Sequence, residues 1–250
     1  MTEALRFHIA RAWRGAHPVL AEVAWQCDPC GLHAIVGPNG AGKSTVLRVL
    51  AGLERFEGSV AIGDRDLTRA DAKLRASLLA WVPQAHAVPE GVRARHVVEL
   101  GRAWHTETAA LRRGHVEAAL EACGVGHLAD RWFEELSAGQ RQRVVLARAL
   151  ATDAPVLLLD EPFASIDLGA ALALEALLRT FVRRGKLAVV VLHDLAQASR
   201  LAERVLVLAG GRAVTEGPPL SALSPRTLAD VWGVRAVDPS LSRFLPSESP

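Results

Sequence analysis

A mainly parallel α/β sheet carrying an inserted helical subdomain is the fold that this sequence predicts, and three stretches predict it. A buried apolar run at Leu32–Val36 opens directly into the glycine loop GPNGAGKST and a helix. From Arg93 to about Leu150 the apolar residues keep helical spacing almost throughout. After Val156, strand-sized apolar runs alternate again with helical ones, the pattern of a sheet covered by helices.

The elements follow in order from periodicity and breakers. Leu5–Ala10 and Val19–Cys27 read as short strands, and the helix behind the glycine loop runs from about Ser44 to Leu53. Gly58–Ile62 and Leu79–Pro83 are two more strands, separated by the polar turn Gly63-Asp64-Arg65-Asp66 and a helical stretch beginning near Ala70. Helical spacing then marks Val97–Trp104, Ala109–Cys123 and Val144–Leu150. Strand Val156–Leu159, helix Ala170–Arg183, strand Leu187–Leu192, helix Ala196–Ala202 and strand Val205–Leu208 resume the alternation before a Gly210-Gly211 turn. Ser224-Pro225 opens a last helix with proline at its first position, and Gly233 ends it. The organisation expected is one domain over 1–234, its α/β core at about 1–86 and 151–234 and its helical subdomain at about 87–150, with a loosely ordered Ser/Pro-rich tail at 235–250.

Composition narrows the function classes. The chain has 250 residues, half of them hydrophobic, and can bury a substantial core. Its longest apolar runs are strand-sized, far short of the roughly 18 residues of a membrane span, so any membrane role is expected to come through a partner. The first 15 residues mix charges without an apolar h-region, which argues against export. A net charge of +2 with dispersed arginines gives no footprint for nucleic acid. Three cysteines fit a reducing compartment; Cys27-Asp-Pro-Cys30 has the spacing of redox and zinc sites, but it lacks a second pair and reads as an ordinary turn before Gly31.

The chemistry concentrates in a few motifs. Gly37-Pro38-Asn39-Gly40-Ala41-Gly42-Lys43-Ser44-Thr45 fits GxxxxGK[ST], whose backbone N–H groups converge on phosphate oxygens at a helix start. Lys43 is expected to neutralise the β- and γ-phosphates of ATP and the Ser44 hydroxyl to ligate Mg²⁺. Val156–Leu159 ends in Asp160-Glu161, two carboxylates that strand alternation turns to opposite faces; Asp160 is suited to Mg²⁺ and Glu161 to polarising an attacking water as general base. His193 follows strand Leu187–Leu192, so a parallel sheet delivers it to the same edge, whereas His86, His96, His105 and His127 show no metal-ligand spacing. Leu136-Ser137-Ala138-Gly139-Gln140 precedes an amphipathic helix and is again suited to a phosphate oxyanion. With one phosphate cradle per chain, the economical reading is that this turn addresses a nucleotide held by a second copy.

Taken together, GPNGAGKST, the aromatic Trp13, Pro83-Gln84, LSAGQ, VLLLDEP, Ala164-Ser165-Ile166-Asp167 and Val191-Leu192-His193-Asp194 occur in the order found in ATP-binding-cassette (ABC) ATPase subunits, and the resemblance covers Leu5 to Gly233. It implies a P-loop NTPase fold, RecA-like, with N-terminal antiparallel strands, and a homodimer that sandwiches ATP and Mg²⁺. It makes Gln84 the glutamine that touches Mg²⁺, places Ser137, Gly139 and Gln140 on the partner's γ-phosphate, makes Asp167 a tie across the dimer, and makes Trp13, standing where tyrosine is usual, the stacking platform for adenine, with His17 as a competitor. Ala138 replaces a usual glycine, tolerable where the backbone needs no positive φ; Ala164 replaces a usual serine, which removes one hydrogen bond across the dimer.

The connecting sequence, Trp81-Val82-Pro83-Gln84, VVELGR, GRAVTEGPP and Leu223–Leu228 with Val231–Val234, resembles the ATPases of iron-siderophore, haem and cobalamin importers. That branch implies transmembrane permease subunits, indirectly a solute-binding protein, and a place on the cytoplasmic face of the cell membrane. A zinc or manganese importer, and a soluble ATPase serving iron–sulphur cluster assembly, are the alternatives.

Overall fold

The computed structural model describes residues 3–85, 88–164, 166–238 and 240–246. Two large sheets pack together, with a core on each face of the parallel one. Strands β1 (Leu5–Arg14) and β2 (His17–Gln26) form a hairpin, and β3 (Gly31–Val36) runs into the glycine loop and α1 (Lys43–Leu50). Strands β4 (Phe56–Ile62) and β5 (Arg65–Asp66) return to that hairpin, giving an antiparallel sheet of order β2-β1-β4-β5. After α2 (Ala72–Leu78) and β6 (Leu79–Val82) the chain leaves for helices α3 (Ala94–Glu99), α4 (Ala109–Ala122) and α5 (Ala138–Ala151). It re-enters through β7 (Val156–Asp160), α6 (Leu168–Arg183), β8 (Leu187–Val191), α7 (Leu195–Leu201), β9 (Arg204–Ala209) and β10 (Arg212–Gly217). The second sheet has the order β10-β9-β3-β8-β7-β6, parallel throughout except for β10.

Apolar runs that are buried on both faces mark the central parallel strands, and every residue of β7 and β8 is buried. Alternation divides their side chains between two cores. Ile35, Leu158, Val189 and Leu206 meet the antiparallel sheet and α1. Ala34, Leu157, Leu159, Val190 and Val207 meet the helices on the other side, where Val97, Leu120 and Val145 bring in the helical subdomain. Parallel pairing of Ile35 with Val191 and of Asp160 with Val191 then brings the ends of β3, β7 and β8 to one edge.

Several boundaries differ from the sequence expectation for identifiable reasons. Strands β1 and β2 run through Arg11, Arg14 and Pro18 because their outward faces are solvated and only alternate residues are buried. Helix α1 stops at Leu50, followed by Gly52 at φ 77. The expected helix to Trp104 gives way after Glu99 to a 3₁₀ turn over Leu100–Arg102, where a Cβ on Gly101 would sit 2.2 Å from the Arg148 carbonyl oxygen. Strand β10 escaped the periodicity reading because it is a short, largely exposed edge strand behind the Gly210-Gly211 turn. After α8 (Pro219–Ala222), helix α9 (Pro225–Trp232) starts at Ser224 and stops at Gly233 as expected.

Among the described residues, part of the tail departs from its expectation. Strand β11 (Val234–Ala236) pairs antiparallel with β12 (Phe244–Pro246), and Leu241 is buried in the helical-side core. Two apolar anchors, Leu241 and Phe244, outweigh the Ser/Pro composition around them. His86, Ser165 and residues 247–250 lie outside the described residues.

One buried group gives the fold a pH dependence. The His33 side chain is fully buried on β3, its ring 5.5 Å from that of Trp25, and neither ring nitrogen has a hydrogen-bond partner among the described residues. Burial, the largest cause, pushes its pKa down from 6.5 to about 4. The unfolded chain therefore binds a proton that the native chain refuses as pH falls through this window, so this contribution is intact above pH 6.5 and lost toward pH 4. Urea unfolding at pH 7 and pH 4.5 is expected to show an acid penalty about 2–3 kcal/mol larger in the wild type than in His33→Leu. Equal penalties would remove His33 as the cause.

Candidate functional site

The loop between β3 and α1 is built on close backbone approach. A Cβ on Gly37 would sit 2.2 Å from the Leu208 carbonyl oxygen, and one on Gly42, at φ 95, would sit 2.3 Å from the Leu20 side chain. Gly42 caps α1 without a side-chain hydrogen bond, which leaves the first-turn N–H groups facing the loop. Above them lies a cavity of about 240 Å³ lined by Asn39 to Thr45, with Glu161 and His193 opposite. Pro38 borders the loop and accepts from the lysine described next.

Lys43 is only 5% exposed, and its Nζ donates to the carbonyl oxygens of Gly37 at 2.8 Å and Pro38 at 3.0 Å. Burial, the largest cause, holds its pKa below the ordinary lysine value, against the raising effect of Glu161 and Asp160. No carboxylate forms an ion pair with it among the described residues, so the amine is a desolvated cation held only by carbonyl dipoles. An anion entering the loop meets a largely buried lysine whose hydrogen bonds go to neutral carbonyl oxygens.

The Ser44 hydroxyl donates to Asp160 Oδ1 at 2.9 Å, joining the first turn of α1 to the end of β7. Burial raises the pKa of Asp160; the Ser44 hydrogen bond opposes this and the charge of Glu161 adds to it. A hydroxyl beside a buried carboxylate is a hard-oxygen pair of the kind that suits Mg²⁺.

Glu161 stands outside β7 at φ 50. The left-handed backbone, not strand alternation, therefore turns it away from Asp160, and such conformations gather at functional sites. Its Oε2 accepts from Gln84 Nε2 at 2.6 Å, and its Oε1 is hydrogen-bonded to His193 Nε2. Both carboxylate oxygens are thus gripped by side chains from two neighbouring loops, one after β6 and one after β8.

The remaining expected residues lie elsewhere. Ser137 caps α5 in a capping box: Gln140 N–H donates to Ser137 Oγ at 3.3 Å and Ser137 N–H to Gln140 Oε1 at 2.9 Å. A Cβ on Gly139 would meet nothing within 4 Å. Ala138 begins α5 and is absent from the positive-φ residues, so the methyl in place of glycine strains nothing. None of Ser137, Gly139 and Gln140 lines the phosphate-loop cavity, although Ala138 shares a separate one of about 280 Å³ with Gln84 and Glu161. Asp167 caps α6, its Oδ1 accepting from Ala170 N–H at 2.8 Å. Trp13 is half-buried with the Arg55 guanidinium 5.0 Å from its ring centroid, while its neighbour Arg14 lines the phosphate-loop cavity. Arg14, the last residue of β1, and Val19, near the start of β2, were missed by the motif reading; they flank the hairpin turn, far in sequence from the glycine loop.

The comparisons with known proteins agree with this geometry. The family model described as "ABC transporter" matches residues 20–164. This chain belongs to the ABC transporter family. Among its relatives, the hemin import ATP-binding protein HmuV of Pseudomonas fluorescens is 40% identical over 240 residues, 93% of this chain and 94% of the relative. The protein of the same name from Nocardia farcinica is 43% identical over 222 residues, covering 87% and 76%. Among solved structures, a dimeric ATP-binding cassette in a post-hydrolysis state with ADP and Pi aligns at a TM-score of 0.77 with 27% identity, covering 86% of this chain and 98% of that one. A bacterial Atm1-family ABC exporter with ATP bound aligns at 0.78 with 25% identity, covering 92% and 41%. The chain is an ABC ATPase on the expected fold, and no helix among the described residues is long and apolar enough to cross a membrane.

Because Lys43 is largely buried without an ion-pair partner among the described residues, Lys43→Met is expected to separate binding from stability. MgATP affinity should fall by at least about tenfold, while the melting temperature of the nucleotide-free chain holds or rises. Nucleotide titration and thermal melts of the same samples read both effects, and unchanged affinity would count against the cradle.

Proposed function

We propose that this cassette is the ATPase subunit of an importer for haem or an iron chelate. It works as a homodimer docked on transmembrane permease subunits at the cytoplasmic face of the cell membrane and is served indirectly by a solute-binding protein. The observation that carries the catalytic half of this reading is the double grip on Glu161 beside the Ser44–Asp160 pair. The transport half rests on likeness to the HmuV proteins across nearly the whole chain.

In this reading the loop Gly37 to Thr45 receives the phosphates of ATP, with Lys43 on the β- and γ-phosphates. Ser44 and Asp160, with Gln84, would hold Mg²⁺, which supplies charge neutralisation at the β- and γ-phosphate oxygens. Glu161 accepts a proton from the attacking water through a carboxylate that His193 keeps in place. Gln84, which would be one of the residues holding the metal, donates to Glu161 Oε2, so the same side chain bears on both the metal site and the base. Trp13 stacks on the adenine, an arrangement an indole face supports.

Ser137, Gly139 and Gln140 sit apart from their own phosphate loop, and here they address the γ-phosphate of the second copy, with Asp167 tying the two sites together. ATP closes the dimer through these contacts, and hydrolysis removes the bridging phosphate and lets it open.

Glu161→Gln keeps the shape of the side chain, exchanges one acceptor oxygen for an NH2 donor and removes the base. Turnover is expected to fall by at least about a hundredfold while an ATP-bound dimer accumulates, read by phosphate release and by sedimentation. Normal turnover would take Glu161 out of its role. For the cargo, the chain is expected to co-purify with its permease and to drive ATP-dependent uptake of haem or an iron chelate into vesicles; uptake of zinc alone would redirect the assignment.

A further inference from the structure

Two cavities meet at the start of α1. One is the phosphate-loop cavity of about 240 Å³, and beside it lies another of about 540 Å³ that reaches Arg48, Gln84 and Asp160. Arg14, Ser44 and Thr45 line both, so Arg14 stands at the junction, next to the two hydroxyl residues in the first turn of α1. Ser44 and Thr45 belong to the glycine-loop motif, whereas Arg14 arrives from the end of β1.

The hairpin that carries Arg14 is clamped to its surroundings just behind the turn. Ala21 N–H donates to the Gly211 carbonyl oxygen at 2.8 Å, and a Cβ on Gly211 would sit 2.2 Å from the Val19 carbonyl oxygen. Leu20 packs on Gly42 of the loop itself. The tip is open, since Gly15 turns at φ 63 with nothing within 4 Å of an added Cβ. A fixed strand end thus presents a long cationic side chain to the cradle, and ordering that side chain is the main entropy loss a contact would incur.

The other cations nearby are committed elsewhere. Arg48 Nε donates to Glu54 Oε1 at 2.7 Å, the Arg55 guanidinium lies 5.0 Å from the Trp13 ring centroid, and Lys43 donates to the Gly37 and Pro38 carbonyl oxygens. Arg148 lines only the larger cavity. Arg14 is exposed and has no hydrogen bond or ion pair among the described residues. It is the guanidinium in the phosphate-loop cavity that has no anion to answer.

We propose that Arg14 is a further nucleotide-binding residue, its guanidinium on the α-phosphate. The inference rests on the reading above, in which Lys43 serves the β- and γ-phosphates and Ser44 with Asp160 the cation, so that the α-phosphate alone lacks a charged partner. A planar guanidinium fork matches two phosphate oxygens and stays charged at any working pH. Because ATP and ADP share this phosphate, Arg14 contributes affinity to both and leaves recognition of the γ-phosphate to the residues already described.

The test titrates MgADP and MgATP onto the full chain in a Glu161→Gln background, where ATP persists, at protein concentrations too low for dimers. Arg14→Gln is expected to weaken both nucleotides by about tenfold and by the same factor. Arg14→Lys should recover part of the loss, since it restores the charge without the fork. The nucleotide-free variant should melt with its parent, because Arg14 is exposed and unpartnered; should it melt lower, Arg14→Met replaces it. Unchanged MgADP affinity overturns the proposal, and so does a loss confined to MgATP, which would move Arg14 to the γ-phosphate. Failure of the underlying reading has a different signature: Lys43→Met would then bind MgADP as its parent does, whereas failure of Arg14 alone leaves the Lys43→Met loss in place.

Discussion

Everything at the candidate site depends on the parallel register of β3, β7 and β8. Because Ile35 and Asp160 both pair with Val191, the glycine loop, the Asp160-Glu161 corner and His193 leave the sheet at one edge. Hydrophobic alternation fixes that register: a slip of one residue on β7 would exchange Leu158 with its neighbours between the two cores and lift Asp160 from Ser44. The two-sided burial of these strands is therefore a catalytic constraint as well as a stabilising one. It costs adaptability, since no side chain in β7 or β8 faces water.

The site holds its charges in unsatisfied pairs of roles. Lys43 is buried with carbonyls for company, Asp160 is buried with a hydroxyl, and the Glu161 carboxylate is taken up by Gln84 and His193. In the proposed reading each arrangement would improve with MgATP bound, since a phosphate would offer Lys43 an anion and a cation would offer Asp160 a counter-charge. Gln84 lies in the segment between β6 and α3, where the sheet meets the helical subdomain, so in the proposed reading a ligand that takes up Gln84 would bear on that junction.

The sequence made legible what local chemistry dictates. GPNGAGKST between strand and helix, the apolar β7 run ending in Asp160 and the helix that follows Leu136-Ser137 all follow from spacing, and each is found on the predicted type of element. What stayed hidden depends on contacts between distant segments. The left-handed turn at Glu161 cannot be read from a DEP triplet, nor the 3₁₀ turn at Gly101, which exists because Arg148 passes 47 residues later in the chain. Arg14 entered the phosphate-loop cavity and Trp13 took Arg55 on its face for the same reason. The tail misled by composition, since Leu241 and Phe244 anchor a segment otherwise rich in serine and proline.

The central claim is that each nucleotide is completed by two chains, and one complementation experiment addresses it most directly. Gly139→Trp should fold, because a side chain there meets open space, yet it should block a partner's phosphate, while Lys43→Met disables the chain's own cradle. In a Glu161→Gln background, each of these chains alone should stay monomeric with ATP. Their mixture should form dimers holding one ATP per pair, since one composite site pairs an intact loop with an intact turn. A Gly139→Trp chain that dimerises around ATP on its own, or a mixture that stays monomeric, would contradict the account.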